Sequence, residues 1–295
     1  MNDPLTVHMH RLSDHVVQLR IPTPTLPPSF ETNTYIIHSG SQAIWVDAGT
    51  TDTNLLQQAL TILIQLGNPR VVAIAATHYH RDHTHGLPYI QAHTKAPIYV
   101  HEADYKALRA ELRAVTNQEL EIATIPAAFQ LEGLRVEVDH VPGHTRGHIH
   151  LRIPTDGVIL VGDHLAGDGS VWIGPPDGNM DDYYEALDQI RSSNCSIAGP
   201  GHGQALNDAS EAALQLKQRR LGREEQIVQL LAKGPKDVDG LVKDIYQDTL
   251  PAAAKWVADR TVIAHLERLV RLGRILEDKS NLSEAPRYKA AGEFS

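Results

Sequence analysis

The stretch that decides the fold is Thr77-His78-Tyr79-His80-Arg81-Asp82-His83, which follows the continuous apolar run of residues 71–76. An uninterrupted apolar run of this length predicts a strand that is buried on both faces. The motif after it places four side chains of metal-ligating type within six residues. Imidazole and carboxylate groups together suit zinc and similar divalent ions. The run and the motif therefore predict a metal site at the end of a buried strand.

Three later segments repeat this arrangement, because each places a ligand-type side chain just after an apolar run. They are Val-Pro-Gly-His-Thr-Arg-Gly-His (141–148), Val-Gly-Asp (161–163) and Gly-Pro-Gly-His-Gly (199–203). Sites on layered folds are built from the loops at strand ends. Each segment alone is a weak signal, since a Gly-Asp pair is usually only a turn. Their number and order predict that the side chains converge on one metal centre.

These motifs closely resemble those of the metallo-β-lactamase superfamily, whose signature is His-x-His-x-Asp-His. All seven ligand positions are matched, by His78, His80, Asp82, His83, His144, Asp163 and His202. The resemblance covers roughly residues 12–205, and Asp47 matches the early aspartate of the superfamily. It implies an α/β protein, an αββα four-layer sandwich with the metals at one edge of two packed sheets.

The resemblance also implies how two metal ions are held. One ion is held by His78, His80 and His144, the second by Asp82, His83 and His202, and Asp163 bridges both. Two ions at such a site lie about 3.5–4 Å apart and share a hydroxide that acts as the nucleophile. Asp82 is then the catalytic residue, because it ligates one ion and orients the hydroxide. We expect two divalent ions, with Zn²⁺ as the default and Fe or Mn as alternatives.

Four further side chains are expected beside the metals or the substrate. Asp47 is expected to anchor ligating imidazoles by hydrogen bonds. His148, four residues after His144, is expected near the site, either as a hydrogen-bond donor or as a structural residue. Tyr79 and Arg146 are candidates for substrate contact. Tyr79 alternates with ligands and is expected to point away from the metals, and an exposed, solvated position is favoured for Arg146.

The composition changes near residue 210. Residues 1–210 carry a net charge of −11 and nearly all of the 17 histidines, whereas residues 211–295 carry +2 and only His265. Helical patterns at about 209–231, 238–246 and 251–272 precede a strand-like segment, which is the element order of a winged helix. We predict a catalytic domain over residues 1–210 and a small C-terminal winged-helix domain over residues 211–290. This tail resembles that of the beta-lactamase-like protein 2 family, and the 142–148 motif resembles glyoxalase II.

Two enzymatic functions fit these motifs, and a third function is not enzymatic. The first is hydrolysis of small esters, thioesters or lactones, which the glyoxalase-like motif and the acidic catalytic half favour. The alternative is cleavage of single-stranded RNA by an endoribonuclease, which the beta-lactamase-like protein 2 resemblance implies. The arginines of the tail permit RNA contact; they are Arg219, Arg220, Arg223, Arg268, Arg271 and Arg274. A DNA-binding regulator is disfavoured because the charge of the tail is low.

Composition limits the partners and the compartment. The formal net charge of −9 argues against a general nucleic-acid binder. No apolar window approaches the length of a membrane span, so we expect no membrane partner. The expected partner is a small-molecule substrate, with RNA as the alternative. The single cysteine, Cys195, excludes an internal disulfide and favours a reducing cytoplasm. The oligomeric state is left open, with a homo-oligomer as one alternative.

Overall fold

The computed structural model of the 295-residue chain describes residues 6–25, 29–169, 171–247, 250, 254–278 and 285–291. The first seven strands of the chain form one sheet, in which strands that follow one another in sequence lie side by side. They are β1 (His8–Arg11), β2 (Val16–Pro22), β3 (Glu31–Ser39), β4 (Gln42–Val46), β5 (Arg70–Ala75), β6 (Ile98–Val100) and β7 (Ile122–Thr124). The pairs from β1 to β4 are antiparallel, and those from β4 to β7 are parallel.

A five-stranded sheet packs on the first, in the order β12-β11-β10-β9-β8. Its strands are β8 (Ala128–Leu131), β9 (Leu134–His140), β10 (Ile149–Ile153), β11 (Val158–Gly162) and β12 (Ile197–Pro200). Strands β8 to β11 pair antiparallel, and β12 is parallel to β11. Strands β9, β11 and β12 therefore all run in one direction, and their carboxyl ends share one edge of the sandwich.

Helices cover the outer face of each sheet. On the first sheet lie α1 (Thr53–Gln65), α2 (Arg81–Thr84), α3 (Leu87–Thr94) and α4 (Tyr105–Arg113). On the second lie α5 (Met180–Ser192) and α6 (Ala209–Ala232). In β4, Ala43 and Trp45 face the helices while Ile44 faces the second sheet, as the twofold strand period requires. Both faces are buried, and the expected four-layer αββα metallo-β-lactamase fold is confirmed.

The C-terminal module consists of the end of α6 and the elements after it. These are α7 (Val238–Tyr246), α8 (Lys255–Arg271), β13 (Ile275–Asp278) and β14 (Arg287–Ala290). They enclose a separate apolar core that includes Ile227, Leu241 and Leu266. Three helices followed by a two-stranded antiparallel sheet match the predicted element order. The winged-helix assignment and the division at residue 210 stay predictions.

A buried carboxylate attaches the C-terminal module to the sandwich. Glu224 on α6 is almost fully buried and accepts hydrogen bonds from the Tyr184 hydroxyl (2.9 Å) and Arg268 Nη1 (2.6 Å). Arg268 on α8 also donates to Asp181 on α5, at 2.7 Å. The buried charge is thereby paired on several sides, as a carboxylate out of water requires.

Among the described helices, none combines the length and apolar character needed to cross a bilayer.

Candidate metal centre

The seven predicted ligands lie together at the shared carboxyl edge of the strands. The loop after β5 carries His78 and His80, and α2 follows with Asp82 and His83. The other three ligands follow β9, β11 and β12, and are His144, Asp163 and His202. Because these three strands run parallel to one another, their loops meet at the same edge. Residues that are up to 124 positions apart in the sequence thus become neighbours in space.

Three histidines form the first group of candidate ligands, with ligand atoms within 4.8 Å of one another: His78, His80 and His144. His144 Nε2 lies 2.9 Å from His80 Nδ1. The other nitrogen of His144 donates to the carbonyl oxygen of Trp172 at 2.7 Å. His78 Nδ1 lies 3.0 Å from Thr77 Oγ1, and its Nε2 is buried without a hydrogen-bond partner in the described structure. Backbone and hydroxyl contacts thus leave one nitrogen of His78 and His144 for an ion.

A second group is formed by Asp82, His83 and His202, again with ligand atoms within 4.8 Å. His202 Nε2 lies 3.3 Å from His83 Nε2 and 3.6 Å from Asp82 Oδ2. His202 Nδ1 donates to the carbonyl oxygen of Glu31 at 2.8 Å. The hydroxyl of Thr25 donates to Asp82 Oδ2 at 2.5 Å. Each side chain of this group is therefore oriented by a partner outside it.

Asp163 lies between the two groups and presents one carboxylate oxygen to each. Its Oδ1 is 3.3 Å from His83 Nε2 and 3.6 Å from His202 Nε2. Its Oδ2 is 3.5 Å from His144 Nε2. The approach of the next strand is close, since a Cβ at Gly201 would lie only 2.2 Å from Asp163 Oδ1. This geometry is what a carboxylate shared by two cations needs.

Asp47 fixes the loop that carries the first motif. Its Oδ1 accepts from the Thr77 backbone N–H at 2.8 Å, and its Oδ2 faces Thr77 Oγ1 at 2.7 Å and His83 Nδ1 at 2.8 Å. The residue has a φ of 58°, in the left-handed region that aspartate tolerates better than most residues. Its buried carboxylate therefore holds the ring of His83 with Nε2 turned toward the centre.

The electrostatics of the centre separate its two sides. Burial alone would lower the pKa of His83 and His202, but the Asp163 carboxylate beside them raises both pKa values above the ordinary range. Burial would raise the pKa of Asp163, but His202 and His83 hold it well below its usual value. Around His78 the balance is reversed, since burial and the neighbouring imidazoles lower its pKa well below 6.5. Its ring is neutral, which is the form that binds a metal.

The donor set fits two divalent cations. Its members are five imidazoles and two carboxylates, the type of ligand that zinc and related ions take. Two buried acceptor atoms, His78 Nε2 and Asp163 Oδ1, lack hydrogen-bond partners among the described residues. A cation held by the seven ligands would supply the contact that these two atoms lack. The arrangement is that of a metal-dependent hydrolytic centre.

The other predicted neighbours are placed less closely. The ring of Tyr79 lies 4.7 Å from that of His80 between centroids, and its hydroxyl donates to Asp177. Arg146 is largely exposed, with its Nε 3.9 Å from Asp177 Oδ1, so the structure does not bring it to the centre. His148 is fully buried behind the centre, and its Nε2 accepts from the Asp163 backbone N–H at 3.1 Å. Its contact to the site is therefore an accepted hydrogen bond, which favours the structural interpretation over that of a donor.

Sequence reasoning missed Asp104, a buried residue at the start of α4. Its carboxylate accepts from Thr145 Oγ1 and from the Gly147 backbone N–H, both at 2.7 Å, and from the backbone of Tyr79. It thus joins the two loops that carry the first group of ligands. Burial raises the pKa of Asp104, and these hydrogen bonds offset part of that rise. No local sequence signal marks this aspartate.

A further cluster that the sequence left without a role consists of His148, His150 and His164, here called the buried triad. All three rings are buried, and His150 Nε2 lies 2.7 Å from His164 Nδ1. The rings of His148 and His164 are 4.0 Å apart between centroids. Burial lowers the pKa of each, for His150 to about 3. The triad is neutral and lies directly behind Asp163.

Comparison with known proteins agrees with this centre. The family model described as the metallo-beta-lactamase superfamily matches residues 28–202, which include all seven candidate ligands. A beta-lactamase-like protein 2 homolog from Drosophila melanogaster is 28% identical over 285 residues, covering 92% of each chain. The match therefore includes the C-terminal module as well as the sandwich.

A second relative matches a smaller share of the chain. It is an atrochrysone carboxyl ACP thioesterase from Aspergillus chevalieri, 27% identical over 203 residues, which cover 68% of this chain and 60% of that protein. A crystal structure of a beta-lactamase domain protein from Burkholderia ambifaria superposes with a TM-score of 0.82 at 18% identity, over 96% of this chain and 93% of that one. The chain belongs to the metallo-beta-lactamase superfamily of metal-dependent hydrolases.

Proposed function

We propose that this protein hydrolyses small ester, thioester or lactone substrates, with a hydroxide shared by two divalent metal ions as the nucleophile. The observation that carries the proposal is the position of Asp163, which presents one oxygen to each ligand group. When bound, two such ions supply a hydroxide near neutral pH and positive charge for the oxyanion of the transition state. Zn²⁺ is the expected ion, with Fe or Mn as alternatives.

Asp82 has the position that a catalytic carboxylate needs in this proposal. Its Oδ2 lies 3.6 Å from His202 Nε2 and accepts a hydrogen bond from Thr25. Burial alone would raise its pKa, but His83 and His202 lower it, so the group is ionised at neutral pH. An ionised carboxylate at this point can accept a hydrogen bond from the attacking hydroxide and orient it. Its role is to accept this hydrogen bond, while the ligands fix the positions of the ions.

Two observations support a thioester or ester as the substrate class. The fungal relative carries the name of a thioesterase, and its match covers 68% of this chain. The segment that carries Thr25 also borders an open cavity of about 420 Å³, lined among others by Pro22, Phe30 and Leu55. Apolar side chains beside the segment that contacts Asp82 suit a small organic group better than a nucleic-acid backbone.

Single-stranded RNA is the alternative substrate, and the arginines of the tail bear on it. Arg268 pairs with Asp181 and Glu224, and Arg274 Nη2 lies 2.7 Å from Glu225. Arg220 is buried and donates to the carbonyl oxygen of Val171. Arginines engaged in this way hold the fold together and offer little charge to phosphates. We therefore propose the small-molecule hydrolase and make RNA an arm of the test.

The test is a substrate panel on the metal-loaded protein, with acyl thioesters, aryl esters, lactones, β-lactams and single-stranded RNA. The wild type is compared with Asp82→Ala and His83→Ala, because each removes one candidate ligand of the second group. We expect thioester or ester hydrolysis that falls by at least about 10²-fold in both variants. His85→Ala is the matched control, since His85 lies in the same motif segment but contacts Glu111 instead of the centre.

The outcomes separate the two functions. Cleavage of RNA that is lost in both variants, without thioester or ester hydrolysis, would replace the proposal by the endoribonuclease. Activity that survives both substitutions comes from a contaminant. If the surviving activity is ester or thioester hydrolysis, the proposed function is rejected, and if it is RNA cleavage, the endoribonuclease is rejected. The cytoplasmic location and the oligomeric state stay predictions from the sequence.

A further inference from the structure

A row of aromatic rings leads from the candidate metal centre to the C-terminal module. The rings of His80 and Trp172 are nearly parallel, at 17°, with centroids 5.9 Å apart. Trp256, in the first turn of α8, follows with its centroid 5.4 Å from that of Trp172 and its plane inclined by 70°. Trp172 is half-buried, whereas Trp256 is 43% exposed. The row therefore begins at a candidate ligand and ends at the surface.

The two tryptophans are fixed to different parts of the molecule that are themselves in contact. The carbonyl oxygen of Trp172 accepts the hydrogen bond from His144 Nδ1 that orients this candidate ligand. Two residues later, Gly174 lies against α8, where an added Cβ would come within 2.6 Å of the Arg260 carbonyl oxygen. Arg260 Nη1 donates to the carbonyl oxygen of Pro175 at 2.7 Å. Trp256 on the same helix is thus held in a defined position beside Trp172.

An exposed tryptophan in a fixed position offers a small apolar surface to a ligand. Aromatic rings prefer offset-stacked or edge-to-face contacts with centroids about 4.5–7 Å apart. The two indoles themselves make such an edge-to-face contact, with centroids 5.4 Å apart and planes inclined by 70°. One exposed side chain is too small for a stable protein interface, which needs an area that tens of residues supply. The row spans two ring-to-ring steps from His80 to Trp256, of 5.9 and 5.4 Å.

We propose that Trp172 and Trp256 form a subsite for a planar aromatic group attached to the reacting carbonyl of the substrate. This inference rests on the proposed hydrolase function and adds a substrate class to it. The ring can belong to the acyl part or to the leaving group, and both place the same chemistry against the two indoles. Trp256 is a specificity-determining residue supplied by the C-terminal module, so that module takes part in substrate selection.

The test compares three thioesters on the zinc-loaded full chain: acetyl and benzoyl thioesters of N-acetylcysteamine, and the acetyl thioester of thiophenol. The quantity is the ratio of kcat/KM for each aromatic substrate to that for the acetyl reference. We expect Trp256→Ala to lower this ratio about 3- to 10-fold for the acyl-side or the leaving-side ring, and Trp256→Phe to retain part of it. The arm that responds identifies which part of the substrate carries the ring.

Leu272→Ala is the matched control, because Leu272 is 45% exposed and lies about 24 Å from Trp256, at the other end of α8. It should leave both ratios unchanged. Equal ratios in the wild type and Trp256→Ala for both aromatic substrates would overturn the subsite. The subsite would also be overturned if Trp256→Ala lowered kcat/KM for the acetyl reference by the same factor as for the aromatic substrates, because that result indicates a general structural effect.

A binding measurement keeps the two proposals apart. The dissociation constants of benzoate and acetate are measured by ligand-observed NMR on the zinc-loaded protein. We expect benzoate to bind more tightly than acetate, and Trp256→Ala to weaken benzoate about 3- to 10-fold. If no thioester is cleaved but this dependence is found, the proposed function fails and the subsite stands. If thioesters are cleaved and benzoate binding does not depend on Trp256, the subsite fails and the function stands.

Discussion

The candidate metal centre and the buried triad are both clusters of imidazole rings, only one residue apart at Asp163 and His164. In the centre, carboxylates stand beside the rings, and they raise the pKa of His83 and His202 against the effect of burial. In the triad nothing opposes burial strongly enough, and the pKa of every ring is lowered. Burial lowers the pKa of the other three rings of the centre, His78, His80 and His144, as it does in the triad. The comparison teaches that a carboxylate beside the ring, here Asp163, sets His83 and His202 apart from every other imidazole of the two clusters.

The two clusters also differ in what their nitrogen atoms contact. In the centre, His78 and His144 each keep one ring nitrogen that no backbone group or hydroxyl occupies. In the triad, His150 and His164 contact each other through one nitrogen apiece, and His148 accepts from the backbone of Asp163. The other nitrogens of His148 and His164 have no hydrogen-bond partner among the described residues. Through His148, the triad therefore contacts the backbone of Asp163, and we interpret it as structural support for that residue. The following predictions test that division of roles.

The largest effect is expected for Asp163→Asn. A neutral amide cannot serve two cations, and it also removes the charge that raises the pKa of His83 and His202. We expect fewer than two metal ions per chain by elemental analysis and a fall in kcat/KM on the order of 10³-fold. Asp168→Asn, at an exposed acidic residue of the same loop, is the control. Two tightly bound ions in Asp163→Asn would show that the carboxylate is not shared.

A smaller loss is expected for Asp47→Asn. Asparagine tolerates the left-handed backbone of this position, so the change acts on the three hydrogen bonds of the carboxylate. One acceptor is lost, and the ring of His83 is held less firmly. We expect the affinity for metal to fall about 10- to 100-fold, measured by competition with a chelator. An unchanged affinity would remove Asp47 from the support of the centre.

The opposite pattern is expected for His150→Leu in the buried triad. Leucine is apolar, so His164 Nδ1 loses its partner in a place that water does not reach. We expect the free energy of unfolding in urea to fall by about 1–3 kcal/mol, with the metal content unchanged. His93→Leu, at an exposed histidine, should change it by less than about 0.5 kcal/mol. Loss of metal in His150→Leu would instead make the triad part of the metal site.

The smallest effect concerns the pH dependence of stability. His150 is neutral when folded because burial lowers its pKa to about 3, whereas an unfolded histidine binds a proton below about pH 6.5. Its contribution to stability is therefore complete above pH 6.5 and is lost progressively as the pH falls toward 3. Between pH 6 and 5, His150→Leu should lower the slope of unfolding free energy against pH by about 1.4 kcal/mol per unit. Identical slopes would show that the ring is already charged in the fold.

The ligand positions could be predicted from the sequence because each is marked locally. A buried apolar strand followed by His78 and His80 is legible without any tertiary information, and so is a glycine turn beside His202. The parallel course of β9, β11 and β12 then brings the separate segments together. The alternation of strands and helices indicated a layered α/β architecture, and the family resemblance implied its αββα order. The family resemblance supplied the pairing of ligands with ions.

The supporting contacts could not be predicted, because they join distant segments without a local pattern. Asp104 is 41 residues from Thr145, and Thr25 is 57 residues from Asp82. Helix α3 was also missed, since it has only eight residues and a proline near its start. Such features depend on the assembled fold.

One element, α6, belongs to both halves of the molecule at once. Its first turns place Ala213 and Leu216 in the outer layer of the sandwich, and its last turns place Ile227 and Leu231 in the core of the C-terminal module. A chain cut after residue 210 would lose part of the catalytic half as well as the tail. Because both cores depend on this helix, we expect the two halves to unfold in a single cooperative step. We also expect recombination that exchanges the tail between homologues to succeed only when the crossover lies downstream of Leu216.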